Sequence, residues 1–221
     1  MKIMKIKNLT ILFCLLLLTS CVVKSLHPFY TNETISFDES FIGNWKDSKN
    51  GIWKVISFKD EIMKENPIKK MEKEDLILSK KYSSSYYIER LYKGITVVYL
   101  VTPFKINSQK FLDFLPLEHQ SNNDNLLKIH TIYTHSLVKY DVQKNGEIEI
   151  KWLDEDKIEA LFKENKIKIK HEIIGALDRT YLLTANSKEL QKFVKKYMNS
   201  NDDGKWETSI KFTLSKINGT D

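Results

Sequence analysis

Cysteine is almost absent from this chain. Its two cysteines, Cys14 and Cys21, both lie close to the start. The sequence after them therefore has no residue for a disulfide, a cysteine-bound zinc ion or a thiol nucleophile. A folded core in that part must be stabilised by packing alone.

Arginine is also scarce. Arg90 and Arg179 are the only two arginines beside a large number of lysines, and the formal net charge is +6. Arginine recognises phosphates and base edges best, because its planar group forms paired hydrogen bonds. The composition therefore argues against nucleic acid as a partner, and the lysines are interpreted as solvated surface.

The common catalytic and cofactor motifs are missing as well. The chain contains no G-x-S-x-G, no phosphate-binding P-loop and no H-E-x-x-H. We therefore predict no cofactor, no metal site and no catalytic residue. An enzyme is the less favoured interpretation.

The apolar run at residues 9–18 is too short to span a bilayer, which takes about 20 apolar residues. Three lysines precede this run, and the sequence LTSC ends it at Cys21. This layout resembles the bacterial lipoprotein signal. The resemblance implies cleavage of residues 1–20, lipid on Cys21 and a mature chain of net charge +3. An ordinary cleaved signal or an uncleaved anchor is the alternative.

The lipid predicts the location. Two or more acyl chains anchor a protein stably, whereas one holds it only marginally. We therefore expect a membrane-anchored lipoprotein of the cell envelope, with the membrane as its partner and an envelope protein as a further one. Val22 follows the cysteine, so an aspartate retention signal for the inner membrane is missing. The outer membrane is favoured, with the domain facing the periplasm or the surface.

Residues 21–40 are expected to form a lipidated tether and residues 41–217 a single β-rich domain. The tether carries the sequence SLHPFYT at residues 25–31. Together with FIGNW at 41–45, FLD at 111–113 and IHT at 129–131, it resembles a family of uncharacterised envelope lipoproteins found especially in Bacteroidetes. The resemblance implies an envelope location and one continuous domain, but no activity. Part of the tether is expected to pack on the domain while lying outside its core.

The predicted fold is α+β. It is a mainly antiparallel β-sheet, barrel-like or strongly curved, with two packed helices in the C-terminal third. Pro103 is expected to end or bend a strand at 96–101, and residues 60–75 are read as a solvated loop or short helix. The remaining strand candidates lie at 53–58, 82–92, 111–115, 129–142, 147–152, 167–170, within 173–185, and at 206–214.

Turn and cap chemistry predicts three details. A three-residue loop ending at Gly146 sets Ile148 opposite Val142 and keeps one face of the hairpin apolar, with Gly146 at positive φ. Asp154 is expected to cap a helix at 155–163. Asn186 or Ser187 is expected to cap a second helix, with Glu189 at capping-box spacing from Asn186, and its apolar face is formed by Leu190, Phe193, Val194 and Tyr197.

Three residues are candidates for a pocket or a structural role. Gly43-Asn44-Trp45 resembles the G-x-W near the first strand of lipocalins, which are small-molecule-binding barrels; the favoured interpretation of Trp45 is an ordinary core aromatic at a strand start. Asp113 is either a lone acid in a pocket or, as the favoured interpretation, a solvent-facing strand residue. His130 has no ligand or base at a workable spacing and is interpreted as structural or surface.

The leading functional hypothesis is a lipid-anchored envelope protein that binds or scaffolds a partner without catalysis. A lipocalin-like carrier of a hydrophobic small molecule is the second, and an envelope hydrolase is the least favoured. An enclosed apolar cavity would favour the carrier. A cleft with converging histidine and acid side chains would favour the hydrolase, and a filled core with an exposed apolar patch would favour the scaffold.

Overall fold

The computed structural model describes residues 22–65, 73–119, 130–176 and 179–217. The strands of this part are, in chain order, β1 Lys24–Ser25, β2 Gly43–Asp47, β3 Ile52–Ser57, β4 Tyr86–Tyr92, β5 Ile95–Ile106, β6 Gln109–His119, β7 His135–Val142, β8 Ile148–Trp152, β9 His171–Ile174, β10 Thr180–Leu183 and β11 Lys211–Lys216. Its α-helices are α1 Phe58–Glu65, α2 Lys73–Lys81, α3 Glu155–Lys163 and α4 Ser187–Met198.

Eight of the strands close into an antiparallel barrel. Their order is β2-β3-β4-β5-β6-β7-β8-β11, and the pairing of β11 with β2 completes the circle. Strands β1, β9 and β10 extend the sheet outside the barrel, where β1 pairs with both β7 and β10. The prediction of a mainly antiparallel, barrel-like β-protein is therefore confirmed. Helices α1 and α2 occupy part of a region that was read as a solvated loop or short helix.

The interior of the barrel is filled by side chains. On β8, Ile148, Ile150 and Trp152 are buried, while Glu149 and Lys151 between them are more exposed. This alternation follows from the two-residue period of a strand. The same pattern on the other strands collects a core whose bulkiest members are Phe41, Trp45, Trp53, Tyr86, Phe114, Tyr140 and Trp152.

A buried charge network lies within the barrel. The carboxylate of Asp47 accepts hydrogen bonds from Trp53 Nε1 at 2.8 Å and from Arg90 Nε at 2.9 Å. The backbone N–H groups of Lys49 and Gly51 donate to it as well. Burial raises the pKa of Asp47, but these donors outweigh burial and hold it below its usual value. The fixed carboxylate therefore joins the β2–β3 turn to β4.

A second core covers the outer face of β5, β6 and β7. It is built from Phe104, Phe111 and Leu137 on the barrel, and from side chains of α3 and α4 above them. The N-terminal segment contributes Val23 and Phe29, which are fully or almost fully buried. The expectation that residues 22–40 lie outside the core is therefore wrong at these two positions. The reason is that the outward side chains of β5 to β7 are apolar and need a cover.

Backbone hydrogen bonds fix this N-terminal segment on the barrel. Val23 donates to the carbonyl of Leu153, and Leu26 donates to that of Leu183. Val22 forms a β-bridge with Asp154. The segment therefore joins the sheet at Val22 and contributes β1 to it.

The predicted hairpin is confirmed in register and loop. Val142 pairs with Ile148 and Tyr140 with Ile150, and Gly146 has a φ of 84°. The register places Asp141 opposite Glu149. This like-charge contact is offset because ion pairs form along each strand, Lys139 with Asp141 at 2.6 Å and Lys151 with Glu149 at 2.8 Å.

Two prolines lie inside strands, contrary to expectation. β5 continues through Pro103 to Ile106 after its pairing with β4 ends at Val101. On the side that β4 leaves, Ile35 bridges Phe104 and the N–H of Ser36 donates to the carbonyl of Pro103, so the missing N–H of Pro103 interrupts no pairing with β4. β6 continues through Pro116, beside a register irregularity between β5 and β6. The strand predicted at 111–115 therefore extends to residue 119.

Three strand predictions need correction. The strand predicted at 129–142 begins only at His135, and residue 129 lies outside the described part. Residues 167–170 form no strand, and the final strand is Lys211–Lys216. The caps are as predicted: Asp154 accepts from the N–H of Lys157, and Asn186 begins a capping box with Glu189.

None of the described helices has the length and apolar character needed to cross a membrane.

Candidate functional site

The three candidate residues do not converge. Trp45 lies inside the barrel, where its Nε1 donates to the carbonyl of Phe41 at 2.9 Å and Lys216 Nζ lies 5.5 Å from its ring centroid. Asp113 lies on the outer face of β6, and the side chain of His130 is exposed. Cys21 lies outside the described residues. The arrangement gives Trp45 a packing role at the first strand of the barrel.

Asp113 is buried, so its favoured interpretation as a solvent-facing residue is wrong. Its Oδ2 accepts a 2.7 Å hydrogen bond from the N–H of Phe29, and its Oδ1 lies 2.5 Å from Nδ1 of His135. Burial raises the pKa of Asp113, while the hydrogen bond and charge of His135 act in the opposite direction. The N-terminal segment covers the acid because its backbone is bonded to it.

Further polar groups accompany this pair. Ser85 and Thr102 share a 2.8 Å hydrogen bond between their hydroxyl groups. Burial raises the pKa of Tyr30 to about 12, with Asp113 contributing in the same direction. Because both carboxylate oxygens of Asp113 hold protein groups, the cluster is suited to locking the segment in place.

Sequence reasoning missed His135. Asp113 and His135 are 22 residues apart and belong to β6 and β7, whose pairing joins Asp113 to Leu137. The sequence signal for this contact is that His135 lies within the strand predicted at 129–142. The link between the two strands cannot be read from that prediction, because it depends on which strands pair.

An apolar groove lies between α4 and the segment that follows α3. We call it the lysine groove. Two neighbouring cavities of about 570 and 650 Å³ form it, and both are lined by Ile167 and Phe193. Leu161 and Tyr197 line one cavity, and Ile169 and Ala185 line the other. Volumes of this size lie in the usual range of small-molecule sites, about 300–1,000 Å³.

The rim of the lysine groove is basic. Six lysines line the two cavities: Lys166, Lys168, Lys170, Lys192, Lys195 and Lys196. Lys166 pairs with Glu164 at 2.7 Å, and the other five form no ion pair within the described residues. Of the acids in the lining, Asp202 is paired with Lys157 and Glu189 is held in its capping box. The groove therefore combines an apolar floor with an excess of positive charge.

Local sequence explains this geometry. Asn165 ends α3 with a φ of 55°, which turns the chain back along the helix layer. Ile167 and Ile169 then face inward while the lysines between and beside them are exposed. The alternation was interpreted as a strand, and the helix lysines as solvated surface. Both patterns can be read from the sequence. That the two segments face each other across one groove cannot.

Other kinds of site find less support in the described residues. In that part, no three histidine, cysteine or acidic side chains lie close enough to hold a metal ion. The barrel itself, with eight antiparallel strands and Gly43-Asn44-Trp45 on its first one, is compatible with a lipocalin-like binding fold. The chain matches no family model, no curated protein and no solved structure.

Proposed function

We propose that this protein is a lipid-anchored, non-enzymatic binding protein of the cell envelope, held in the outer membrane by Cys21, and that it binds its ligand in the lysine groove. The observation that carries the binding role is the groove itself. Its floor is apolar, its rim is basic, and it lies outside a barrel whose interior is filled. An exposed apolar patch above a filled core favours a binding or scaffolding role.

The buried acid–histidine pair supports this choice over a hydrolase. The contacts of Asp113 are with His135 and with the backbone of Phe29. A catalytic acid or base needs access to a substrate. Here the N-terminal segment lies over the carboxylate, which is 2% exposed.

A lipocalin-like carrier is the second candidate, favoured by the closed eight-stranded barrel. The two candidates differ in where the ligand lies. Native mass spectrometry of protein extracted from its own membranes tests both. We expect wild type to retain a bound small molecule, and Phe193→Glu, which places an acid in the groove floor, to lose it.

The matched control is Ile77→Glu, which changes an exposed residue of α2 that is 54% accessible. It should retain the ligand. Retention by folded Phe193→Glu would place the ligand elsewhere and favour the barrel. An empty wild-type protein would remove the binding proposal.

The anchor is tested separately by labelling cells with a fatty-acid analogue and fractionating them. Wild type should carry the label and sediment with membranes. Cys21→Ser should carry none and leave the membrane fraction or remain an uncleaved precursor. An unlabelled wild type whose mature amino terminus is not Cys21 would overturn the lipoprotein assignment.

A further inference from the structure

The lysine groove lies near the point where the described chain begins. Val22 is bridged to Asp154, the residue that caps α3. Leu161 in the groove follows seven residues later, about 10 Å along the helix axis at 1.5 Å per residue. A second link is Asp202, which lines the groove and pairs with Lys157 on α3 at 2.7 Å.

This position has a direct consequence for a lipidated chain. Cys21 immediately precedes Val22, which is already fixed in the sheet. Lipid on Cys21 therefore leaves almost no slack between the bilayer and the folded domain. The groove is then held close to the membrane surface, where the most abundant ligand is lipid.

The chemistry of the groove fits one class of lipid. Five lysines without an ion pair in the described part surround a floor that includes Ile167 and Phe193. Such a rim attracts an anionic headgroup, and such a floor accepts hydrocarbon. Two cavities side by side suit the two acyl chains of a phospholipid.

We propose that the lysine groove binds an anionic phospholipid of the membrane to which the chain is anchored. The headgroup phosphate lies among Lys168, Lys192 and Lys196, and the acyl chains lie along Ile167 and Phe193. The inference rests on the proposed function and deepens it by naming the ligand class. It assigns to these lysines the binding of a headgroup phosphate, which ordinary solvated surface lysines do not perform.

The test uses the full lipidated chain reconstituted in phosphatidylcholine vesicles. The vesicles carry a small, equal fraction of either phosphatidylglycerol or phosphatidylcholine with a photoreactive group on one acyl chain. After illumination, mass spectrometry locates the adducts. We expect adducts on residues 161–170 and 192–197, with the anionic lipid preferred about fivefold for each lysine engaged.

Two paired variants separate specific from general charge effects. Lys192→Gln with Lys196→Gln should abolish most of the preference for phosphatidylglycerol. Lys46→Gln with Lys211→Gln removes two exposed lysines from the barrel and should leave the preference intact. All four positions are exposed, so neither variant should disturb folding.

The outcomes distinguish the ligand class from the binding role. Equal labelling of the groove by both lipids would overturn the anionic class while leaving the groove as a binding site. Adducts confined to the residues next to Cys21 would overturn lipid entry into the groove. If the native protein also retains no ligand in mass spectrometry, the proposed function falls with the inference.

Discussion

The backbone N–H of Phe29 donates a 2.7 Å hydrogen bond to Oδ2 of Asp113, which lies 84 residues further along the chain. This contact joins the N-terminal segment to the barrel wall at a fully enclosed position. The other oxygen of Asp113 is bonded to His135. The acid therefore connects three parts of the molecule.

Replacement of Asp113 should show whether its charge or its hydrogen bonds stabilise the fold. Asp113→Ala leaves the N–H of Phe29 and Nδ1 of His135 without their partner and should cost about 3 kcal/mol in the free energy of unfolding. Asp113→Asn should cost about 1 kcal/mol or less, because an amide keeps an acceptor for Phe29 and burial already favours the neutral acid. Urea unfolding measures both. Equal losses in the two variants would contradict this account.

The two neighbouring histidines should behave differently. His135→Ala removes the partner of a buried carboxylate and should cost about 1–3 kcal/mol. His130→Ala changes an exposed side chain and should stay within about 0.5 kcal/mol of wild type. Thermal unfolding of the pair provides the comparison. A larger effect at His130 would show that it has a role the structure does not explain.

Phe29 should be a determinant of overall stability. Its side chain is 0% exposed, so Phe29→Ala leaves a cavity in the second core and should cost about 3–5 kcal/mol. Leu26, three residues earlier, is 42% exposed, and Leu26→Ala should change stability by about 0.5 kcal/mol. The denaturant midpoints of the two variants measure this difference in stability. Similar small losses would mean that the segment is not part of the cooperative unit.

Asp47 should make stability depend on pH in the acid range. Its pKa in the folded protein is lowered, so its contribution is present above the unfolded value, about 3.9, and is lost as the pH falls through the folded value. Asp47→Asn should cost about 3 kcal/mol at pH 7, since Arg90 loses a buried partner. The difference from wild type should shrink between pH 5 and pH 2.

The control for Asp47 is an exposed ion pair. Glu89→Gln removes the partner of Lys54, and both side chains are substantially exposed. Its cost should be below about 1 kcal/mol. If the two variants lose the same stability at every pH, the buried network does not stabilise the barrel as described.

Local chemistry made part of this fold predictable. The hairpin register followed from two alternating segments around Asn145-Gly146, because only one loop length keeps both apolar faces together. The caps at Asp154 and Asn186 followed from side chains that satisfy free N–H groups. In each case the residues that decide the structure are close in sequence.

Contacts between distant segments were not predictable in the same way. The burial of Asp113 depends on the N-terminal segment lying across β6, and the lysine groove depends on α4 facing residues 166–170. The prediction that Pro103 ends or bends its strand is wrong, because whether a strand accepts a proline depends on where the neighbouring strand ends. These features arise from tertiary pairing, which a single sequence pattern does not encode.

The pairing of β8 with β11 brings the two ends of residues 153–209 together. Lys211 lies opposite Lys151, and the N–H of Trp152 bonds to the carbonyl of Ile210, so the chain leaves the barrel and returns at adjacent positions. Residues 153–209 are therefore an insertion between two neighbouring strands. An engineered chain can lengthen, shorten or exchange it without changing the order of the barrel strands. Any replacement must still cover Phe104, Phe111 and Leu137, because an exposed apolar surface of this kind would be prone to self-association.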